Sequence, residues 1–247
     1  MLSVDSKSKK ALPIAKYKKH LIFHNSKGDK IKARDYGKHA YFKNKDVKIL
    51  PSIDKRDIIY IAGPSGVGKS YVSCDYAVRY HKLFPKNKIY LFSKKRADHL
   101  FDNVDYVERV NITEKYLGEV DYETYKKSLC IFDDCHTYTG RIGKSLEQLQ
   151  RDLMNLGRSY KTNIVITSHL LNNYKQTRDV LNELTKLVIF PSGTSYHSLK
   201  YCLSKYFGLD KKEIEKLLKL DSRWVCISKF PRYIIAQKDI YIIEHRI

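Results

Sequence analysis

The sequence lacks the features that would place it in or across a membrane. No run approaches the roughly 18 apolar residues of a membrane-spanning helix. The opening Met1-Leu2-Ser3-Val4-Asp5 passes into lysines without the apolar centre of a secretory signal, so secretion is not expected. Cysteine is scarce and unpatterned: Cys74, Cys130, Cys135, Cys202 and Cys226 are odd in number and include no C-x-x-C pair. A zinc site is therefore not expected, and reduced, buried thiols in a cytosol-like compartment are. There is no internal repeat. Carboxylates are the remaining shortage. Against 47 Lys and Arg stand 27 Asp and Glu, a formal net charge of +20 with a sequence pI near 9.6.

Such an excess fits a polyanionic partner, either nucleic acid or an anionic surface. It is unevenly spread, since residues 1–57 hold sixteen Lys/Arg against six Asp and so carry half of it. The alternative is a solvated surface in a lysine-biased protein. With 247 residues, 43% of them hydrophobic and 30% charged, the chain can bury a full core and suits one α/β domain with appendages.

One stretch organises the rest. Gly63-Pro64-Ser65-Gly66-Val67-Gly68-Lys69-Ser70 fits G-x-x-x-x-G-K-[ST] at every fixed position and directly follows the apolar run Ile58-Ile59-Tyr60-Ile61-Ala62. That is the strand-to-helix setting the motif requires. Its glycines let the backbone curl so that successive N–H groups face a phosphate chain. Lys69 would reach the β- and γ-phosphates, and Ser70 would offer its hydroxyl to Mg2+. The following helix directs its N-terminal partial charge at the same anion. ATP with Mg2+ is the expected cofactor, contacted by Gly63, Pro64, Ser65, Gly66, Val67, Gly68, Lys69, Ser70 and Tyr71. A Gly/Ser loop that binds nothing would leave the flanking strand and helix unexplained.

Taken in order, residues 1–19 read as a flexible basic arm. Residues 20–24, a turn at 25–29 and residues 30–33 read as a β-hairpin, and short pieces at 41–42 and 47–50 complete a unit too small to fold alone. A helix is expected from about 70 to 84, stopped by Pro85, then buried strands at 89–92 and 129–132, with 94–127 left unassigned. Ser145-Leu146-Glu147-Gln148 reads as a capping box, opening a helix whose stripe of Leu146, Leu149, Leu153 and Leu156 ends at a capping Gly157. A strand at 163–167, a helix at 178–184 and a strand at 187–190 follow. Near-continuous apolar strands separated by helices indicate a parallel sheet covered on both faces. Residues 210–213 form a further capping box, and 224–227, 233–236 and 240–243 read as a terminal hairpin or edge strands. The resulting division is 1–57, a basic arm with a small β unit; 58–200, the core; and 201–247, a helix and β-hairpin extension.

Hydrolysis needs an acid for the metal and a group that positions water. Leu129-Cys130-Ile131-Phe132-Asp133-Asp134 supplies a buried strand with paired acids at its end. Asp133 would hold the Mg2+ shell, and Asp134 would orient or deprotonate the attacking water. Thr167-Ser168-His169 ends the next strand, where His169 could report hydrolysis by bonding to phosphate or water; the alternative is a solvent-exposed strand cap. Arg158, in Leu156-Gly157-Arg158-Ser159-Tyr160, could reach a neighbouring subunit's γ-phosphate, with Arg141 and Arg151 as rivals and a plain helix-end cation as the alternative.

Four segments together carry a resemblance: the 63–70 loop, Cys130-Ile131-Phe132-Asp133-Asp134, Leu153-Met154-Asn155-Leu156-Gly157-Arg158-Ser159 and Ile164-Val165-Ile166-Thr167-Ser168-His169. Over roughly residues 58–192 the chain resembles the viral genome-packaging ATPases of the FtsK–HerA superfamily, the poxvirus A32-like group of large DNA viruses and virophages. The resemblance implies an α/β P-loop NTPase with a RecA-like ASCE core. Its parallel central sheet would be flanked by helices, with small β-rich N- and C-terminal additions. It further implies a homo-oligomeric ring, hexameric or pentameric, that translocates double-stranded DNA into a capsid. It makes Lys69, Asp133, Asp134, Arg158 and His169 the catalytic set, Ser70 and Asp133 the metal ligands, and Arg158 a finger acting across subunits. Double-stranded DNA held without reading its bases, and capsid or portal-vertex proteins, become the expected partners. The host cytoplasm or viral factory, with virion association, becomes the expected location. Two departures stand out. His169 occupies a place the family usually fills with Gln, and the frequent Gly-Arg-His reads Gly157-Arg158-Ser159. Residues 1–57 and the last 50 match no family pattern.

Other readings compete. Asp133-Asp134-Cys135-His136 has the look of a helicase or replication ATPase, but that class needs a second RecA-like domain for which 247 residues leave no room. A nucleotide-switched assembly protein would use the same loop without turnover. A nucleoside kinase lacks a lid-like arginine cluster here and has no use for the basic excess.

Overall fold

The computed structural model describes residues 1–6, 8, 11–25, 35–45, 47–173 and 176–243. Near the N-terminus, β1 (Leu2–Val4), β2 (Leu12–Tyr17) and β3 (His20–His24) pair antiparallel with β3 in the middle. β4 (Asp35–Gly37) adds beside β1, β5 (His39–Tyr41) lies in another sheet, and β6 (Val47–Ile49) adds beside β2. Within the expected flexible arm over residues 1–19, Leu2–Val4 and Leu12–Tyr17 are strand. Leu2, Ala11, Ile14 and Ala15 are buried, and these few apolar positions suffice to fix two strands among the lysines. β3 takes β1 and β2 as its partners. The expected hairpin's return strand at 30–33 lies outside the described residues.

The middle of the chain builds a parallel sheet. β7 (Ile58–Ala62), β8 (Ile89–Ser93), β9 (Val107–Arg109), β10 (Leu129–Asp133) and β11 (Asn163–Ser168) lie in the order β7-β11-β10-β8-β9. Every residue of β7, β8, β10 and β11 is buried, as a parallel sheet covered by helices demands. α1 (Lys69–Leu83) follows the glycine-rich loop and buries Val72, Tyr76, Ala77 and Tyr80. The unassigned stretch resolves into α2 (His99–Asp102), β9 and α3 (Glu114–Gly118), the two helices N-capped by Asp98 and Thr113 and too short to show a period.

α4 (Gly140–Tyr160) corrects two expectations. The helix opens five residues before the Ser145 capping box, and Gly157 lies inside it instead of ending it. Lys161, in left-handed conformation, is the C-cap. Gly157 serves close approach: a Cβ there would stand 2.7 Å from Arg56 Nη1. That guanidinium donates to Leu153 O at 3.1 Å and also to Met154 O. α5 (Arg178–Glu183) follows.

The remaining elements are β12 (Lys186–Ile189), α6 (Tyr196–Phe207), α7 (Lys211–Leu218), β13 (Val225–Ser228), β14 (Tyr233–Ala236) and β15 (Asp239–Ile242). β12-β13-β14-β15-β5 form an antiparallel series. Asp210 and Glu213 make the expected capping box at α7. The chain divides into two compact units, Lys55–Leu184 and Met1–Asp54 with Thr185–Ile247. These limits differ from the three successive segments read from composition. β5 pairs with β15, Tyr41 opposite Asp239, which joins the two ends of the chain, and β12 goes with them by pairing with β13. No helix among the described residues is long and apolar enough to cross a membrane.

Candidate nucleotide-binding and hydrolytic site

The site lies at the C-terminal edge of the parallel sheet, where open α/β sheets bind ligands. The loop leaves β7 with the Gly63 N–H donating to Ser168 O at 3.1 Å. Gly66 and Gly68 have φ of 77° and 109°, backbone that a side chain would strain. Gly68 is the N-cap of α1, and Lys69 opens the helix. Only 5% of Lys69 is exposed. Its Nζ donates to Pro64 O at 3.2 Å and stands 3.9 Å from Asp134 Oδ2. Burial lowers the Lys69 ammonium pKa, opposed by the Asp134 and Asp133 carboxylates.

Strand order explains how the two motifs meet. β11 is inserted between β7 and β10, with Ile164 opposite both Ile58 and Cys130. Ser93, Asp133 and Thr167 therefore align across β8, β10 and β11. Thr167 Oγ1 donates to Asp133 Oδ1 at 2.9 Å and accepts the Asp134 N–H at 2.9 Å. Ser93 Oγ donates to Asp133 Oδ2 at 3.4 Å, and Ser70 Oγ to Asp133 Oδ1 at 3.5 Å. Lys95 Nζ joins this group, 3.3 Å from Asp133 Oδ2 and 3.1 Å from Asp98 Oδ2. Burial pulls the Lys95 pKa down, but Asp133 and Asp98 together hold it above its ordinary value.

Asp134 has φ of 49°, left-handed backbone that only a few residue types tolerate. The turn aims Oδ2 at His169 Nε2, 3.2 Å away, and leaves Oδ1 buried without a hydrogen-bond partner. His169 Nδ1 stands 3.4 Å from Lys69 Nζ. An ammonium can only donate, so this geometry assigns Nδ1 as acceptor and Nε2–H as donor to Asp134. His136 stacks edge-on to His169 at 5.5 Å. Burial lowers the His136 pKa against the opposing pull of Asp134. Asp134, His136 and His169 bring three ligand-type atoms within 4.8 Å of one another.

Lys69, Ser70, Asp133, Asp134 and His169 thus converge, as their residue types suggested. Tyr71, 54% exposed, does not turn inward among them. Arg158 is not brought to this edge. It is exposed in the last turn of α4, before β11 begins, one strand length (~16 Å) from Asp134. Arg141 is exposed in the first turn of α4, and Arg151 is engaged with Glu147 and Asp179. Ser93, Lys95 and His136 were missed. Their only sequence signal is position, at or just beyond the ends of buried parallel strands.

The donor set fits a triphosphate with a hard divalent cation. Ser70 and Asp133 offer oxygen to the cation, two lysines face the same space, and the orphaned Asp134 oxygen can accept from water.

Fold and site define an α/β P-loop NTPase with a RecA-like core. The genome packaging NTPase B204 from Sulfolobus turreted icosahedral virus 2, in complex with sulfate, matches with a TM-score of 0.52 at 17% identity, covering 78% of this chain and 100% of that one. The pCW3 conjugation coupling protein TcpA, in its monomer form with ATPγS, matches with 0.51 at 12% identity, covering 93% of this chain and 77% of that one. At these identities the likeness is one of fold. No family model matches the chain. It is 36% identical to the uncharacterized protein V3 of Sputnik virophage over 186 residues, 74% of this chain and 75% of V3. The chain belongs to the family of that virophage protein.

Proposed function

We propose that this protein is an ATP-hydrolysing motor that translocates double-stranded DNA into a capsid. One observation carries the reading: β11, set between β7 and β10, gathers Lys69, Ser70, Asp133, Asp134 and His169 around a buried, unpartnered carboxylate oxygen. Lys69, now resting on Pro64 O, would turn to the β- and γ-phosphates. Ser70 and Asp133 would hold Mg2+, which when bound neutralises charge on those phosphates. Thr167 and Ser93 fix the orientation of Asp133. Asp134 would then hold the attacking water and accept its proton. His169, bridging Asp134 and Lys69, would sense whether the γ-phosphate is present. Arg158 is exposed and remote from its own site, as a residue acting on a neighbour in a hexameric or pentameric ring must be. The fold shared with a viral genome-packaging NTPase supports DNA as the load; capsid or portal-vertex partners and a location in the host cytoplasm or viral factory, with virion association, are part of the same proposal.

The test is ATP hydrolysis with and without duplex DNA, run beside a mass measurement of the assembly. Turnover stimulated by DNA and lost in Lys69→Ala and Asp134→Ala is expected, from a ring-sized particle. Equal turnover with and without DNA at low salt would sink the translocase reading.

A further inference from the structure

We infer that the outer face of α6, together with the turn between β13 and β14, is a DNA-gripping surface that binds the phosphate backbone without reading bases. This rests on the motor reading for the identity of the polyanion, and on the following features for its place.

α6 buries Leu199, Cys202, Leu203 and Phe207. That leaves Tyr196, His197, Lys200, Tyr201, Ser204 and Lys205 exposed as one continuous stripe. No carboxylate interrupts it: the sequence holds no Asp or Glu from 184 to 209, nor from 222 to 238. Lys205 lies over the rings of Tyr201 and Tyr206, at 5.1 and 5.7 Å, and bonds the Tyr201 hydroxyl at 2.7 Å. Cation and aromatic are thus presented as one group. Lys200 and Lys205 are separated by about 7.5 Å of helix rise, an axial span of about two phosphates on one strand.

The turn continues the same chemistry. Arg232 donates to Phe207 O at 2.7 Å, which ties the turn to the end of α6. Lys229 lies over the Phe207 ring at 5.7 Å. Between helix and turn, Tyr206, Phe207, Phe230 and Arg232 line a cavity of about 380 Å³. Phe230 is 70% exposed at its rim. An apolar ring displayed among cations, with no carboxylate on the same segments, suits a duplex backbone whose deoxyribose edges offer apolar contact between phosphates.

What sets the surface apart is where the acids fall: Thr185–Ile247 holds 12 Lys/Arg and 6 Asp/Glu, and all six acids lie outside α6 and the β13–β14 turn, which carry Lys200, Lys205, Lys229 and Arg232.

The test is binding of full-length protein to a fluorescent duplex, measured across a salt series. Lys200→Glu/Lys205→Glu should weaken binding about tenfold or more and flatten the salt dependence by about two phosphate contacts. Tyr201→Ala/Phe230→Ala, which leaves the charge intact, should weaken it several-fold at unchanged salt dependence. Lys82→Glu/Lys86→Glu, an equal charge change on exposed residues of the other unit, should alter affinity by less than about threefold. Equal losses in the α6 and control variants, or no loss in either α6 variant, would overturn the surface while leaving DNA-stimulated turnover, and so the motor reading, standing. Wild-type protein that binds no duplex at low salt overturns both.

Discussion

The two units divide the work of the molecule unequally. Lys55–Leu184 is a parallel sheet whose strand ends collect Lys69, Ser70, Asp133, Asp134 and His169, with a net charge of +5. Met1–Asp54 with Thr185–Ile247 is antiparallel and contributes none of those residues, yet carries +15. Parallel strands point all their C-terminal ends one way, so polar groups from several strands can meet at one edge. Antiparallel strands alternate their ends and cannot build such an edge, but they offer broad faces on which cations can be spread. Chemistry and charge are thus separated by architecture, and that separation can be attacked directly.

The largest effect is expected from the hydrolytic residues. Asp134→Asn should lower ATP turnover by about 10²–10⁴-fold, the usual worth of a positioned base, while duplex affinity without nucleotide stays within twofold. Lys69→Met should be as inactive, yet at least as thermostable as wild type. Burial already disfavours the Lys69 ammonium, and methionine fills the space without a charge. A parallel loss of DNA affinity in either variant would break the division between the units.

A second effect comes from packing beneath the site. Gly143, in the first turn of α4, has no room for a side chain: a Cβ would lie 2.5 Å from Tyr138 O and 2.8 Å from its carbonyl carbon. Backbone cannot swing aside as a side-chain tip can, so Gly143→Ala must displace the turn that begins at Asp134. A cost of about 1–3 kcal/mol, a fall in melting temperature of several degrees and reduced turnover are expected. Calorimetry and the hydrolysis assay would measure all three. DNA affinity unchanged in that variant sharpens the comparison.

The same contrast governs how much the sequence disclosed. The loop at 63–70, the acids at 133–134 and the four- and five-residue apolar runs of β7, β8 and β10 are local patterns, and they appear where those patterns put them. What depended on partners was hidden. The run at 187–190 is apolar whether its neighbour is parallel or antiparallel, so nothing in it disclosed β13 as its partner. Gly157 looked like a helix end because glycine favours that place, but its use is to admit Arg56. Lys95 is one lysine among many until β8 is seen beside β10. The lysines of residues 1–19 masked the buried Leu2, Ile14 and Ala15.

The smallest effect belongs to the basic unit and concerns acid. His24 ends β3, half-buried, and its pKa lies below the ordinary 6.5 because burial, and then the N-terminal ammonium, disfavour its charged form. The unfolded chain takes up this proton near pH 6.5, whereas the folded chain resists until lower pH, so the unfolded state binds more protons in between. Stability from this source is intact above pH 6.5 and declines as pH falls through the folded value. His24→Asn removes the titrating group, so the drop in melting temperature between pH 7.5 and pH 5 should be smaller than in wild type. ATP with Mg2+ should raise the melting temperature at both pH values without changing the contribution of His24 to that drop, because the nucleotide loop and His24 belong to different units. An unchanged acid drop in His24→Asn would show that the imidazole is already as free to take its proton in the folded chain as in the unfolded one.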